Sequence, residues 1–337
     1  AWRDTGLWKV LPLPARHLAF YLFQHHGSHS TLENDSFDLS MGYLNKRDNA
    51  WLLTAVYTGF ALIAFAANSV LCRLALGEAT IDAASFTTIR LVSGALVLLV
   101  IVRTAAKTNT PDDSGSWTSA FMLFLYAVTF SFAYISLNTG TGALILFASV
   151  QATMIIFAIF KGEHLGLTGS LGLFAALAGL TYLVFPGLQA PSPSGAALMA
   201  AAGISWGIYS LRGRGSRSPV TVTMDNFLRS VPFVLLISLI FLDNLHVTVA
   251  GAFFAALSGG LTSAIGYVIW YAALRDHSAT SAALVQLLVP VLAALGGVVL
   301  LSEALTVRLL LSSAMIIGGV ALALTQRQNP VPAKSTE

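Results

Sequence analysis

The stretch 281-SAALVQLLVPVLAALGGVVLLSEALTVRLLLSSAMIIGGVALAL-324 decides the fold. It holds two apolar runs, 279–301 and 306–325, parted by a few residues around Glu303. Each approaches the roughly 20 apolar residues that a helix needs to cross a hydrocarbon core. So short a connection makes the two helices antiparallel neighbours. The same punctuation by polar residues, Gly and Pro marks eight further runs upstream: 51–76, 81–104, 117–137, 141–161, 168–185, 195–212, 219–242 and 247–274. The expected fold class is an all-α polytopic membrane protein with ten transmembrane helices.

Composition agrees. Of 337 residues, 56% are hydrophobic and 10% charged, and the mean hydropathy is +0.76. A soluble domain carries roughly 25% charged residues on its water-facing surface. A soluble enzyme, a nucleic-acid binder and a disordered chain are therefore excluded, and the surrounding partner is a lipid bilayer. The net charge of +3 reflects basic loops, not affinity for DNA. The one cysteine, Cys72, allows no internal disulfide and no CxxC site. No GxxxxGK[ST] motif is present to bind a nucleotide, so ATP does not drive the protein directly. His164, His246 and His277 fall at loop ends on different helices, and 112-DD-113 stands alone in a loop. An enzyme needs such groups gathered at one depth. The expectation is no enzyme, no cofactor and no metal. The 25-HHGSH-29 cluster reads as tail histidines without a specific ion.

The basic residues orient the chain. With the N-terminus inside, Lys46, Arg47, Arg103, Lys107, Lys161, Arg212, Arg214, Arg217, Arg275, Arg327 and Lys334 all fall on the cytoplasmic face, against Arg73 and Arg308 outside. The positive-inside rule thus favours both termini in the cytoplasm. Residues 1–50 read as a poorly ordered cytoplasmic extension, with a natural start at Met41, and 327–337 as a cytoplasmic tail.

The chain also repeats itself. At an offset of 140, 143-AL-144, 163-EHL-165 and 179-GL-180 meet 283-AL-284, 303-EAL-305 and 319-GV-320. At an offset of 139, Arg90 meets Arg229, and 67-ANSVLCR-73 meets 206-WGIYSLR-212. Two five-helix repeats, 51–190 and 191–326, follow. An odd number of helices per repeat inverts the second in the membrane, a construction found in secondary transporters.

Ten short spans in two halves, 205-SWGIYSLRGRG-215, 90-RLVSGALVLLV-100 and the opening stretch with its Pro290, Glu303 and 318-GG-319 resemble the drug/metabolite transporter superfamily, specifically its EamA-type exporters. The resemblance spans about 51–325 and is strongest in the last two helices. The first half departs from it, with Val150 in place of a proline and Ala67 in place of a tryptophan. It implies a monomeric exporter of the inner (plasma) membrane. Its substrates would be small metabolites, often amino acids including aromatic ones, moved by alternating access through a central cavity. The alternative within the same fold is a multidrug exporter; outside it, a membrane-embedded enzyme or a non-transporting scaffold.

Ionisable side chains deep in a span are costly, so each is a functional candidate. Arg90, Asp225 and Arg229 qualify. An arginine fork can receive a substrate carboxylate or tie helices together; Asp225 is a candidate for proton coupling. Phe65 and Asn68 in the first span, Trp206 and Tyr209 in the sixth, and Tyr267 and Tyr271 in the eighth are candidates for the substrate lining. Trp270 is expected in the interfacial belt. Tyr134 and Asn138 close the third span as candidate gates, and Pro232 and Pro290 are candidate hinges. Gln151 and Gln286 read as bonds between helices. Glu163 and Glu303 read as carboxylates favouring the N-termini of the helices that follow them.

Overall fold

A computed structural model describes residues 32–104, 114–160, 166–185, 187, 190–213, 216, 218–274 and 285–325. Glu163, His164, His277, 112-DD-113 and the 25-HHGSH-29 cluster lie outside these residues. Ala1–Leu53 and Thr54–Glu337 are separate compact units. In the first, residues 32–53 are helical; the second carries all that follows.

The described residues form α1 (Leu32–Gly77), α2 (Ala83–Thr104), α3 (Trp117–Tyr134), α4 (Thr139–Phe160), α5 (Leu167–Val184), α6 (Pro193–Gly213) and α7 (Pro219–Ile240). Next comes α8, which runs from Val249–Leu257 through a π-helical stretch, Ser258–Ile265, into Gly266–Leu274. Then follow α9 (Leu288–Leu301) and α10 (Val307–Thr325). Eight of these ten are long and apolar enough to cross a bilayer, and α9 and α10 are shorter apolar helices. The large apolar side chains that remain exposed, such as Phe160, Phe174, Leu239 and Val299, suit a surface solvated by lipid.

Polar caps explain where the helices begin. Asp82 accepts the backbone N–H of Ser85 ahead of α2, Ser116 that of Ser119 in α3, and Ser192 that of Gly195 in α6. Thr248 accepts the N–H of Gly251 in α8, and Thr306 that of Leu309 in α10. Each satisfies a donor that the first helical turn leaves unpaired, at a gain of about 1 kcal/mol. The α1–α2 and α7–α8 connections are joined to each other. Thr248 donates to the Thr80 carbonyl from both its backbone and its hydroxyl, and Asp82 also receives the His246 N–H.

Small residues set how closely the helices approach. α2 packs on α7 and α8, α6 on α3 and α4, α4 on α9, and α5 on α10. In the last pair the backbones touch: a Cβ on Gly172 would lie 2.5 Å from the Gly319 carbonyl, and one on Gly319 equally close to that of Gly172. Both candidate hinge prolines occur within helices. Pro232 is inside α7. Pro290 stands in the first turn of α9, just after a break in the helix at Leu287. A proline has no N–H for the residue four before it, here Gln286, which accounts for a break at that point.

Candidate functional site

Where α1, α3, α4, α6 and α8 converge they enclose a cavity of about 20 Å³, room for roughly one water. Its lining is Phe65, Asn68, Ser69, Tyr126, Phe130, Leu146, Phe147, Trp206, Thr262, Ser263 and Tyr267. Of the expected lining residues, Phe65, Asn68, Trp206 and Tyr267 are brought together here. Their rings interlock: Trp206 lies 5.0 Å from Tyr126, 4.9 Å from Tyr267 and 5.5 Å from Tyr209 between centroids. Phe65 meets Tyr267 at 5.9 Å and Trp270 at 5.8 Å, edge to face. Trp270 is therefore a buried wall behind the cavity, not the interfacial belt residue expected, because the ring of Phe65 claims it.

Beneath the rings lies a polar layer. Asn68 accepts hydrogen bonds at Oδ1 from the hydroxyls of Ser258, at 2.6 Å, and Thr262, at 3.2 Å. Its Nδ2 donates to the Tyr126 hydroxyl at 3.4 Å. Asn68 thus both faces the cavity and bonds α1 to α3 and α8.

Arg90 is 1% exposed, one layer behind the lining. Its Nη2 donates to the Tyr126 hydroxyl at 2.8 Å and its Nε to Ser263 at 3.3 Å. The guanidinium carbon lies 5.1 Å and 4.9 Å from the ring centroids of Tyr126 and Phe130. All three contact residues line the cavity. Among the described residues Arg90 has no ion-pair partner, and its Nη1 has no hydrogen-bond partner. A buried guanidinium lacking a carboxylate is an expensive arrangement, partly offset by the faces of the two rings.

The backbone makes room for it. Gly259 in the π-helical stretch abuts the Arg90 carbonyl so closely that a Cβ there would collide with it. The π-helical turns of α8 deliver Ser258, Thr262 and Ser263 to this layer. Tyr126 and these three hydroxyl residues were missed in the sequence. The signal was 258-SGGLTS-263, where five of six residues are small or hydroxylic within an apolar span.

Other candidates lie elsewhere. Arg229, at the sequence offset of Arg90, is partly exposed and pairs with Asp225 at 3.9 Å. It also donates to the Gly115 carbonyl and lies 5.9 Å from the Trp117 ring centroid. Asp225 in turn accepts the Gly115 N–H at 3.1 Å. Both residues hold the entry to α3 and neither lines the cavity. Tyr209 and Tyr271 border a second pocket of about 20 Å³ with Ser119, Arg212, Thr223 and Asn226. Tyr134 is fully buried and donates to the Thr139 carbonyl at 3.3 Å. Asn138 is exposed at the start of α4, where its carbonyl accepts the Gly142 N–H. Gln151 and Gln286 are both buried. Among the described residues no three His, Cys, Asp or Glu side chains gather as metal ligands would.

From the connection before α10, the Glu303 carboxylate reaches the first turn of α4, not that of the helix that follows it, accepting the Thr139 N–H at 3.0 and 2.8 Å. It also pairs with Arg73 at 3.4 Å. The left-handed turn at Ser302, φ 54°, directs the chain there.

The comparisons with known proteins agree with this architecture. Residues 193–325 match the EamA-like transporter family. An uncharacterized protein of Pseudomonas aeruginosa is 47% identical over 274 residues, which cover 81% of this chain and 95% of that one. An uncharacterized transporter of Archaeoglobus fulgidus is 23% identical over 61% of this chain and 75% of its own. One solved crystal structure, 20% identical with a TM-score of 0.56, covers 81% of this chain and 99% of that one, and so shares the fold. With its apolar helices and its match to the family model, the chain belongs to the EamA-like transporters, multi-pass membrane proteins of the drug/metabolite transporter superfamily.

Proposed function

We propose that this transporter exports small carboxylate-bearing metabolites, amino acids including aromatic ones, by alternating access through the central cavity. The observation that carries this reading is Arg90. A desolvated cation with a free Nη1 and no ion-pair partner among the described residues is matched by an anionic group arriving with a substrate. Phe65, Trp206 and Tyr267 line the same cavity and suit an apolar or aromatic side chain. The outward direction is what the resemblance to EamA-type exporters implies, and the distribution of Lys and Arg favours both termini in the cytoplasm.

A cavity of about 20 Å³ is far below the several hundred Å³ of a typical ligand site. The arrangement therefore represents a closed state, and substrate enters only as the helices part. A drug exporter of the same fold is the second reading, and the buried cation disfavours it for cationic drugs. Asp225, paired with Arg229 at 3.9 Å, is the candidate carboxylate for coupling to protons.

The test is transport in proteoliposomes. Labelled aromatic and aliphatic amino acids are expected to show counterflow above protein-free vesicles, and their decarboxylated amines none. Movement of a fluorescent cationic drug, with no amino-acid counterflow, would establish the drug-export reading instead.

A further inference from the structure

We propose that Arg73, Glu303 and Thr139 form the bolt of the exit gate, and that this bolt must open for substrate to leave. The proposal rests on the transporter reading above but not on any particular substrate.

The geometry gathers the residues from distant parts of the chain. Glu303, in the connection between α9 and α10, accepts both the N–H of Thr139, at 3.0 and 2.8 Å, and its hydroxyl, at 3.2 Å. Arg73, near the end of α1, donates to Glu303 at 3.4 Å and to the carbonyls of Tyr134 and Ile135 at 3.1 and 3.3 Å. The Tyr134 hydroxyl closes the set on the Thr139 carbonyl. One carboxylate from the second half of the chain thus fastens α1 and the α3–α4 turn of the first half. Charge-assisted bonds of this kind are stronger than neutral ones. Alternating access needs one such connection between moving parts to break and re-form.

The two arginines matched by sequence offset are held differently. Arg212, at the offset of Arg73, donates among the described residues to the hydroxyls of Ser119 and Ser116, at 3.1 and 3.3 Å. It has no ion pair among the described residues. On the orientation expected from the basic residues, the end holding Glu303 faces away from the cytoplasm.

Cys72, beside Arg73 in sequence, is fully buried. Ser69, one turn earlier, lines the cavity. Opening the bolt would admit water along this line, so the chain's one cysteine reports on the gate.

The experiment measures how fast a membrane-impermeant maleimide modifies Cys72 of the full chain in oriented vesicles, added from either face. Wild-type protein is expected to react slowly from both. Glu303→Gln removes the charge at nearly constant size and is expected to raise the rate about tenfold from the outer face alone, by shifting a two-state balance. Arg73→Lys keeps a cation but loses the guanidinium's separate donors to Glu303 and to the two carbonyls, and is expected to raise the outer rate by less than Glu303→Gln does. An unchanged rate in Glu303→Gln, or equal acceleration from both faces as in a loosened fold, overturns the proposal. Because the readout needs no substrate, faster outer labelling without amino-acid counterflow would sink the substrate reading and leave the gate standing.

Discussion

Arg90 and Arg229 occupy matching places in the two halves of the chain, yet they have different surroundings. Arg90 is buried among Tyr126, Phe130 and Ser263 with one nitrogen unsatisfied. Arg229 is partly exposed and satisfied by Asp225, the Gly115 carbonyl and the Trp117 ring. A guanidinium whose valences are filled by its own protein is a fastening. On the proposed function, one left short in a low-dielectric interior receives the carboxylate of the substrate. Positions matched by sequence offset therefore differ in their surroundings.

Substitutions test that contrast, and their expected effects fall in a clear order. Arg90→Gln should lower amino-acid counterflow by about a hundredfold or more, since it removes the charge at the desolvated site. Arg229→Gln should lower it less than about tenfold, because its pair is partly exposed. Equal losses from both in folded protein would erase the distinction. Trp206→Ala should cost aromatic substrates about thirtyfold and small aliphatic ones much less, as the ring that meets Tyr126 and Tyr267 is lost. A uniform loss would assign Trp206 to packing alone. Tyr126→Phe removes the oxygen that accepts from both Arg90 and Asn68. Transport should fall about tenfold with the rings still in place, in keeping with about 1–2 kcal/mol for a buried acceptor. The smallest effect on transport is expected from Gly172→Ala, far from the cavity. It should lower thermal stability by about 1–3 kcal/mol through collision with Gly319, with the affinity for substrate unchanged.

The membrane architecture was legible because hydropathy and punctuation are local properties. The expected span 81–104 became Ala83–Thr104, and 117–137 became Trp117–Tyr134. The aromatic lining was legible in part, since bulky rings and one amide in matched spans are conspicuous among aliphatic residues. What escaped depends on contacts between distant segments. Glu303 reaches Thr139 across 164 positions of sequence, and its neighbours in the chain only hint at its own helix. Trp270 could not be assigned a depth without knowing that Phe65 stands opposite. Tyr126 and Ser263 carry no charge to draw attention in an apolar span. Their importance comes from Arg90, whose partners no periodicity reveals.

The π-helical stretch of α8 also changes which residues share a face. Ser258 and Tyr267 are nine positions apart, and at about 100° per residue an α-helix would set them on opposite sides. Bonding from i to i+5 widens the turn, and over Ser258–Ile265 the path to Tyr267 approaches two whole revolutions instead of two and a half. The Asn68 partner and the cavity ring therefore look the same way. Rewinding that stretch into α-helix would act as a rotary crank on the rest of α8. It would swing Tyr267 away from Trp206 and reshape the cavity without moving the helix axis.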